Sequence, residues 1–334
     1  MRIHRMRPTK KRPSIRDVAT AAGVSYQTVS RVLNNPELVR PSTRERVEES
    51  IKALGYRRSM VARSLATNNS MLIGVVANQS ALVGPAELKL GIDEGALARE
   101  YSTVHITIRD SSPDTLEGVF NRLWGLGVDG VIVLAWSQEM VDFAVRLSGM
   151  LPTCVVAEGT VPNGLSRVHG DQLDGARRAT ELMCQAGCKR VGHLAGPDDW
   201  LESEARQLGW RLGGGTGACV SAGWEASDGF EAVEELLDID PSTDGIFAAN
   251  DHVAVGAIKR LMSMGKRVPE DVIVVGFDDV SLGPYLSVPL TSVQQPFSEI
   301  GEAAVRLIFD LIDGGEPSDQ VIDTELIVRE STLR

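Results

Sequence analysis

From Met71 onward the chain repeats one pattern, a short apolar run followed by a longer segment whose apolar residues recur at helical spacing. The runs fall at 71–76, 103–108, 130–135, 153–157, 190–195, 245–249 and 272–277. Near-continuous apolar runs of that length read as strands buried on both faces, and strands that alternate with helices form parallel sheets with helices packed on either side. So many strands over this length suit two doubly wound lobes better than one sheet. Ligands in such folds bind outside the carboxyl ends of the strands, so the space between the lobes is the expected pocket.

The segment ahead of this body has the opposite charge. Through Thr67 there are 15 Lys and Arg against 5 Asp and Glu, a net of +10. The whole chain carries 34 basic and 45 acidic residues, so the remainder holds 19 and 40, a net of −21. A cationic head on an acidic body points to a polyanionic partner for the head alone.

Residues 15–22 read as a short helix with Ile15, Val18 and Ala19 on one side, and Gly23 supplies the permissive backbone of a tight turn. Ser25 is a favourable N-cap for a second helix, Tyr26-Gln27-Thr28-Val29-Ser30-Arg31-Val32-Leu33, which meets no breaker before Asn34-Asn35-Pro36. Ser42-Thr43-Arg44-Glu45 reads as a capping box opening a third helix, with Val47, Ile51 and Leu54 at helical spacing and Gly55 at its end. Helix, glycine turn, helix and supporting helix make the helix-turn-helix arrangement.

At about 100° per residue, Gln27, Ser30, Arg31 and Asn34 share one face of the second helix, and Val29, Val32 and Leu33 take the opposite face. An ordinary solvated helix divides the same way. The turn, the caps and the local charge favour the major groove, where Gln can pair with adenine, Arg can grip guanine through two bonds, and Ser can reach phosphate. Residues 59–66 are a helical stretch too short to be stable alone, followed by a polar linker to Ser70. A protruding Leu beside Arg there has the chemistry of a minor-groove wedge, with a plain linker as the alternative.

Hydrophobic residues at 43% and charged residues at 24% are ordinary for a soluble globular protein. No run is long and apolar enough for a membrane helix, and the basic start is not followed by an apolar signal stretch, so a cytoplasmic protein without membrane contact is expected. Cys184 and Cys188 lie four apart, but no His or second Cys pair completes a metal set, and Cys154, Cys184, Cys188 and Cys219 read as free thiols. Enzyme motifs are missing: there is no phosphate loop ending in Gly-Lys-Ser/Thr, no Gly-x-Ser-x-Gly and no His-Glu-x-x-His. The glycine run 213–217 follows a helix instead of opening one and reads as a flexible connection. His4 lies in the basic tail, and His105 and His193 lie within expected strands, which leaves little for a general base. Neither a cofactor nor a metal is expected.

Polar and aromatic residues gather where the expected strands end: Asn78-Gln79, Asp171 with Asp174, Asp198-Asp199-Trp200, Asn250-Asp251 and Asp278-Asp279. Arg206 follows Trp200 on the next helix, and Trp224 and Phe297 sit near other junctions. Any one Asp at a strand end can simply cap a helix. Together, carboxylates, an amide and an Arg can read several hydroxyls at once, while indole faces pack on the C–H face of a pyranose ring.

On these residues the chain resembles the lactose-repressor (LacI/GalR) family along nearly its whole length from Ser14. The head carries Ile15-Arg16-Asp17-Val18-Ala19, Ala22-Gly23-Val24-Ser25, Thr28-Val29-Ser30-Arg31-Val32-Leu33-Asn34 and Leu54-Gly55-Tyr56. The body carries Leu72-Ile73-Gly74-Val75, Val128-Asp129-Gly130-Val131-Ile132, Leu194-Ala195-Gly196-Pro197, Ala249-Asn250-Asp251 and Val275-Gly276-Phe277-Asp278-Asp279.

The resemblance implies a homodimeric transcription regulator, most often a repressor. Its hinge helix would fold on double-stranded operator DNA, and its two-lobed body, related to periplasmic sugar-binding proteins, would bind a small-molecule effector. The expected divisions are a basic arm at 1–13, the helix-turn-helix domain at 14–58, hinge and linker at 59–70, and the effector-binding and dimerisation domain at 71–334. The expected DNA-contacting set is Ser14, Ile15, Ser25, Tyr26, Gln27, Thr28, Ser30, Arg31 and Asn34, with Ala62 and Leu65 from the hinge. Tyr26-Gln27 match the founding member's recognition helix, and Arg31 falls on the family's base-reading arginine. Asp174, Arg206, Trp224, Asn250, Asp278 and Phe297 fall on effector-contacting positions of sugar-responsive members, and Asn78 and Trp200 join them from the strand ends. A sugar is favoured, with a galactoside as one candidate.

The chain departs from the family in three places. Arg57-Arg58-Ser59 replaces the usual Pro-Asn pair of the hinge, the stretch between Trp210 and Trp224 is short and Gly-rich, and no heptad tail for tetramers follows Val328-Arg329-Glu330-Ser331-Thr332. A sugar-binding transport protein and a sugar-active enzyme are the alternative readings.

Overall fold

A computed structural model describes residues 13–57, 69–79 and 83–334. The chain divides into two compact units, Met1–Ser70 and Met71–Arg334. In the first, α1 (Ile15–Ala22) is opened by a reciprocal cap: the Ser14 hydroxyl accepts from the Asp17 amide at 3.3 Å, and the Asp17 carboxylate accepts from the Ser14 amide at 2.7 Å. Gly23 ends α1 at φ 63°, a left-handed turn that glycine enters without steric cost. Helix α2 (Tyr26–Asn34) follows, capped by Ser25, whose hydroxyl accepts from the Thr28 amide at 3.1 Å.

The third helix, α3 (Pro41–Leu54), corrects the expected capping box. It starts at Pro41, one residue before Ser42, and Arg40 makes no side-chain cap bond. Proline suits the first helical position because its missing N–H would have had no intrahelical partner there. Val18, Ala19, Ala22, Val29, Val32 and Val47 close a small core between the three helices, each fully buried valine contributing roughly 1.5–3 kcal/mol.

Among its described residues the second unit holds two six-stranded sheets. The first takes β1 (Leu72–Asn78), β2 (Ser102–Ile108), β3 (Gly130–Leu134), β4 (Thr153–Val156), β5 (Ser166–Gly170) and β11 (Asp319–Ile322), ordered β11-β5-β4-β3-β1-β2 and parallel throughout. The second takes β6 (Val191–Ala195), β7 (Cys219–Ser221), β8 (Gly245–Ala248), β9 (Ile273–Asp278), β10 (Thr291–Gln294) and β12 (Glu325–Ile327), ordered β12-β10-β9-β8-β6-β7, with only β12 antiparallel. Every residue of β3, β6 and β8 is buried, as strands covered on both faces must be.

Helices α4 (Val83–Leu97) and α11 (Phe297–Ile312) cover one face of the first sheet, and α5 (Pro113–Leu126) and α6 (Gln138–Ser148) the other. On the second sheet, α9 (Ala226–Ile239) and α10 (Asp251–Ser263) pack on one face, and α7 (Gln172–Gln185) and α8 (Leu201–Leu212) on the other. Helix α7 therefore leaves the first sheet through β5 to serve the second lobe, and α11 leaves β10 to return. The last two strands then complete one edge of each sheet.

The glycine run at 213–217 is not the flexible connection its composition suggests. Gly213 and Gly215 donate to the Gly209 and Trp210 carbonyls at 2.9 Å. A Cβ at Gly215 would overlap the Trp210 indole, and one at Gly217 would come within 2.7 Å of the Gly192 amide. The glycines let the chain lie flat on a buried tryptophan whose own N–H reaches the Val191 carbonyl at 3.0 Å. Cys154, Cys184, Cys188 and Cys219 are thiols, and burial pushes Cys188 up to about 12. Among the described residues no helix is long and apolar enough to cross a membrane, and no cluster of His, Cys, Asp and Glu has the form of a metal site.

Candidate functional site

In the first unit α2 exposes Tyr26, Gln27 and Arg31 on one side while Val29 and Val32 are buried on the other. The Ser25 and Thr28 hydroxyls lie 2.9 Å apart at its N-terminus, and Asn34 donates to the Ser30 hydroxyl at 3.3 Å in its last turn. Ser14 is engaged in capping α1, and Ile15 packs against the small core. Ala62 and Leu65 lie outside the described residues.

In the second unit a cleft opens between the lobes, with about 860 Å³ of empty space that includes its solvent-filled mouth. The first lobe contributes Asn78 at the end of β1, Trp136 just after β3, Glu158 just after β4, His169 in β5, and Phe297 at the start of α11. The second contributes Trp200, Glu202 and Arg206 from the start of α8, Trp224 ahead of α9, Asn250 ahead of α10, Asp278 ending β9, and Gln295 just past β10. These are carboxyl ends of parallel strands and the helix starts that follow them, where such folds leave backbone and side chains free for ligand. The Leu201 amide donates to the Trp136 carbonyl at 3.0 Å, tying α8 to the opposite lobe.

The floor of the cleft is one buried polar network. Arg206, 4% exposed, donates from Nε to Gln172 at 2.8 Å, from one terminal nitrogen to the Ala249 carbonyl, and from the other to Asp278 at 3.4 Å. Gln172 donates to Gln295, which in turn donates to Asp278 at 2.7 Å. Asp278 sits at φ 98° and Asp279 at φ 52°, left-handed conformations that cost a non-glycine residue free energy and persist only where surroundings impose them.

The constraint comes from Asp251, fully buried. Its carboxylate accepts from the Val280 amide at 2.7 Å and from the Ser292 hydroxyl at 2.5 Å, and that hydroxyl accepts from the Asp279 amide at 3.1 Å. Burial pushes Asp251 up to about 8. Burial also raises Asp278, with Arg206 opposing it in part.

The walls are aromatic. Trp200 stands between Trp136 and Trp224, with ring centroids 6.2 Å and 5.4 Å away. Gly196 makes room for Trp224, since a Cβ there would come within 2.5 Å of the indole. Asn250 caps α10 through the Val253 amide at 2.8 Å and donates to the Trp224 carbonyl at 3.0 Å, so it positions the indole as well as lining the cleft.

Among the described residues, three buried polar atoms of the lining have no partner: Trp224 Nε1, His169 Nε2 and Glu202 Oε2. Such atoms are costly unless something supplies the missing bond. His169 Nδ1 lies 2.7 Å from Glu158. Burial presses the ring toward its neutral form, but the Glu158 carboxylate outweighs this and its proton affinity is raised. Burial lifts Glu202 to about 7.

Asn78, Trp200, Arg206, Trp224, Asn250, Asp278 and Phe297 thus line one cleft. Asp174 does not, and its assignment is corrected. On the first turn of α7 its carboxylate pairs with Arg177 at 2.5 Å and Arg178 at 2.8 Å, the i,i+3 and i,i+4 neighbours of a helix surface. Trp136, Glu158, His169, Gln172, Glu202 and Gln295 line the cleft without having been expected there. The strand-end rule that found Asn78 also covers Trp136 and Glu158. His169 lies in a strand the apolar pattern does not reveal. His193, by contrast, is a core residue, held by the Phe247 carbonyl at 2.9 Å and lowered by burial to about 4.

Residues 14–59 match the family described as bacterial regulatory proteins, lacI family, and residues 180–332 match a periplasmic binding protein-like domain. The HTH-type transcriptional regulator CelR of Thermobifida fusca is 35% identical, over 96% of this chain and 99% of its own. The ribose operon repressor of Halalkalibacterium halodurans is 34% identical, over 96% of this chain and 97% of its own. Among solved structures, a complex of transcriptional regulator CelR with cellobiose matches with a TM-score of 0.71 at 33% identity, covering 96% of this chain and 100% of that one. The lac repressor dimer bound to operator and the anti-inducer ONPF matches with a TM-score of 0.89 at 28% identity, covering 97% and 100%.

Proposed function

The chain belongs to the lacI family of bacterial regulatory proteins, and from that premise we propose that it is a cytoplasmic homodimer whose affinity for operator DNA is set by a sugar bound between the lobes of its body. It is a transcription regulator and not an enzyme. The observation that carries the effector reading is the cleft itself, where indoles surround a fixed polar floor and three buried polar atoms lack partners among the described residues. Aromatic walls with a few oriented hydrogen-bonding groups are the composition of a small-molecule site, and the same composition suits a ring with hydroxyls on its edge and C–H bonds on its face. Cellobiose in the CelR complex favours the sugar class. Nothing in the cleft singles out a galactoside.

For the head, we assign base reading to the exposed face of α2. Its support is the separation of Gln27 and Arg31 from the buried valines, together with the head's net charge of +10. The test uses duplexes selected from a random pool by the full chain. Operator affinity is then measured with and without each member of a sugar panel. At least one sugar is expected to change it tenfold or more. A panel of mono- and disaccharides that leaves operator affinity unmoved would overturn the proposal.

A further inference from the structure

The cleft offers hydrogen bonds but no spare positive charge. Arg206 is the one Lys or Arg among the described residues lining it, and Gln172, the Ala249 carbonyl and Asp278 take one donor from each of its three nitrogens while its guanidinium lies 4.0 Å over the Phe277 ring. His169 faces Glu158. Helix N-termini are the other usual anchor for an anion; α4, whose Pro85 and Leu88 line the cleft, has no carboxylate in its first turn, but four others that open near the cleft each carry at least one. These are Asp174 on α7, Glu202 and Glu204 on α8, Asp251 on α10 and Glu299 on α11.

Glu202 adds a carboxyl with a buried, unpartnered oxygen, and among the described residues no salt bridge neutralises it. Burial without a dedicated cation is what lifts its proton affinity, with Arg206 opposing that rise and Glu158 and Asp278 adding to it. A phosphate or carboxylate entering this space would meet three carboxyl side chains and displace an arginine from bonds that hold the floor together. Hydroxyls fit instead: they can donate to Glu202 Oε2 and accept from Trp224 Nε1 and His169 Nε2.

We propose that the cleft selects an uncharged sugar and rejects its phosphorylated or carboxylated counterpart, with Glu202 setting that selection by accepting a hydroxyl hydrogen bond from the ligand. This rests on the sugar reading above. The signal is then the free sugar, supplied by import without phosphorylation or by hydrolysis of a longer saccharide, and removed by any kinase that phosphorylates it.

Calorimetric titration of the full-length protein tests this with pairs: cellobiose and cellobionate, glucose and glucose 6-phosphate, ribose and ribose 5-phosphate. At least one uncharged member should bind, with its charged partner at least tenfold weaker. A charged member binding as tightly as its partner, or more tightly, overturns the proposal and leaves the sugar reading standing. If no member of any pair binds, the sugar reading falls and the proposal with it. Glu202→Gln, checked for cooperative melting, should narrow the ratio within the binding pair at least threefold. An unchanged ratio removes Glu202 from the selection.

Discussion

The proposed function assigns its two activities to single residues with opposite surroundings, Arg31 and Asp278. Arg31 is exposed on α2 and contributes nothing to the head's core, so Arg31→Ala should leave melting unchanged. Operator affinity should fall by about 1–3 kcal/mol with relaxed sequence preference, and a variant that keeps the wild-type affinity and the wild-type preference for operator over scrambled duplex would refute its role. Asp278 is half-buried beside Arg206 and Gln295 at a positive φ. Asn tolerates that backbone, so Asp278→Asn keeps the shape and loses the charge. Sugar affinity should fall at least about tenfold, equivalent to ~1.4 kcal/mol, with melting retained; titration beside a melt distinguishes this from general destabilisation.

Asp251 gives a pH test. Its folded proton affinity, raised to about 8, exceeds that of an unfolded aspartate, so the native state binds the extra proton and stability is lost as pH rises from about 4 toward 8. Melting temperature should therefore fall between pH 6 and pH 8. Asp251→Asn should flatten that slope, and an equal slope in both proteins would contradict the assignment.

Among the elements, the strands at 71–76, 130–135, 190–195 and 245–249 were legible in the sequence because both their faces are buried, which forces a continuous apolar run. Strand β5 was not, since its exposure alternates and its inner positions carry Ser, Val and Gly around Arg167 and His169. The last two strands lie at sheet edges, and β7 is three residues long, so each holds too few apolar residues to register.

The cleft was legible where a polar residue directly follows an apolar run, as at Asn78 and Asp278. On helices it was legible only in part: Arg206 and Phe297 were found, but Glu202 and Gln172 were missed and Asp174 was misplaced. Glycine's meaning depends on what it packs against, which a sequence does not display. The close seat of Trp224 on Gly196 makes this testable: a Cβ at 196 would strike the indole. Gly196→Ala should then weaken sugar binding more than it lowers stability, as read by titration beside melting. Unchanged sugar affinity would show that the indole's position is immaterial.

In the whole molecule, the proposed function joins a cationic helix-turn-helix head to an acidic body through one thermodynamic link. If sugar changes operator affinity by some factor, operator must change sugar affinity by the same factor, because the coupling free energy belongs to the pair of ligands. The most direct test is a sugar titration of the full-length protein, free and saturated with operator, beside an operator titration with and without saturating sugar. The account predicts two ratios that differ from one and equal each other, in the range of about 5–150-fold typical of such couplings. Equal sugar affinity for the free and the operator-bound protein would contradict it.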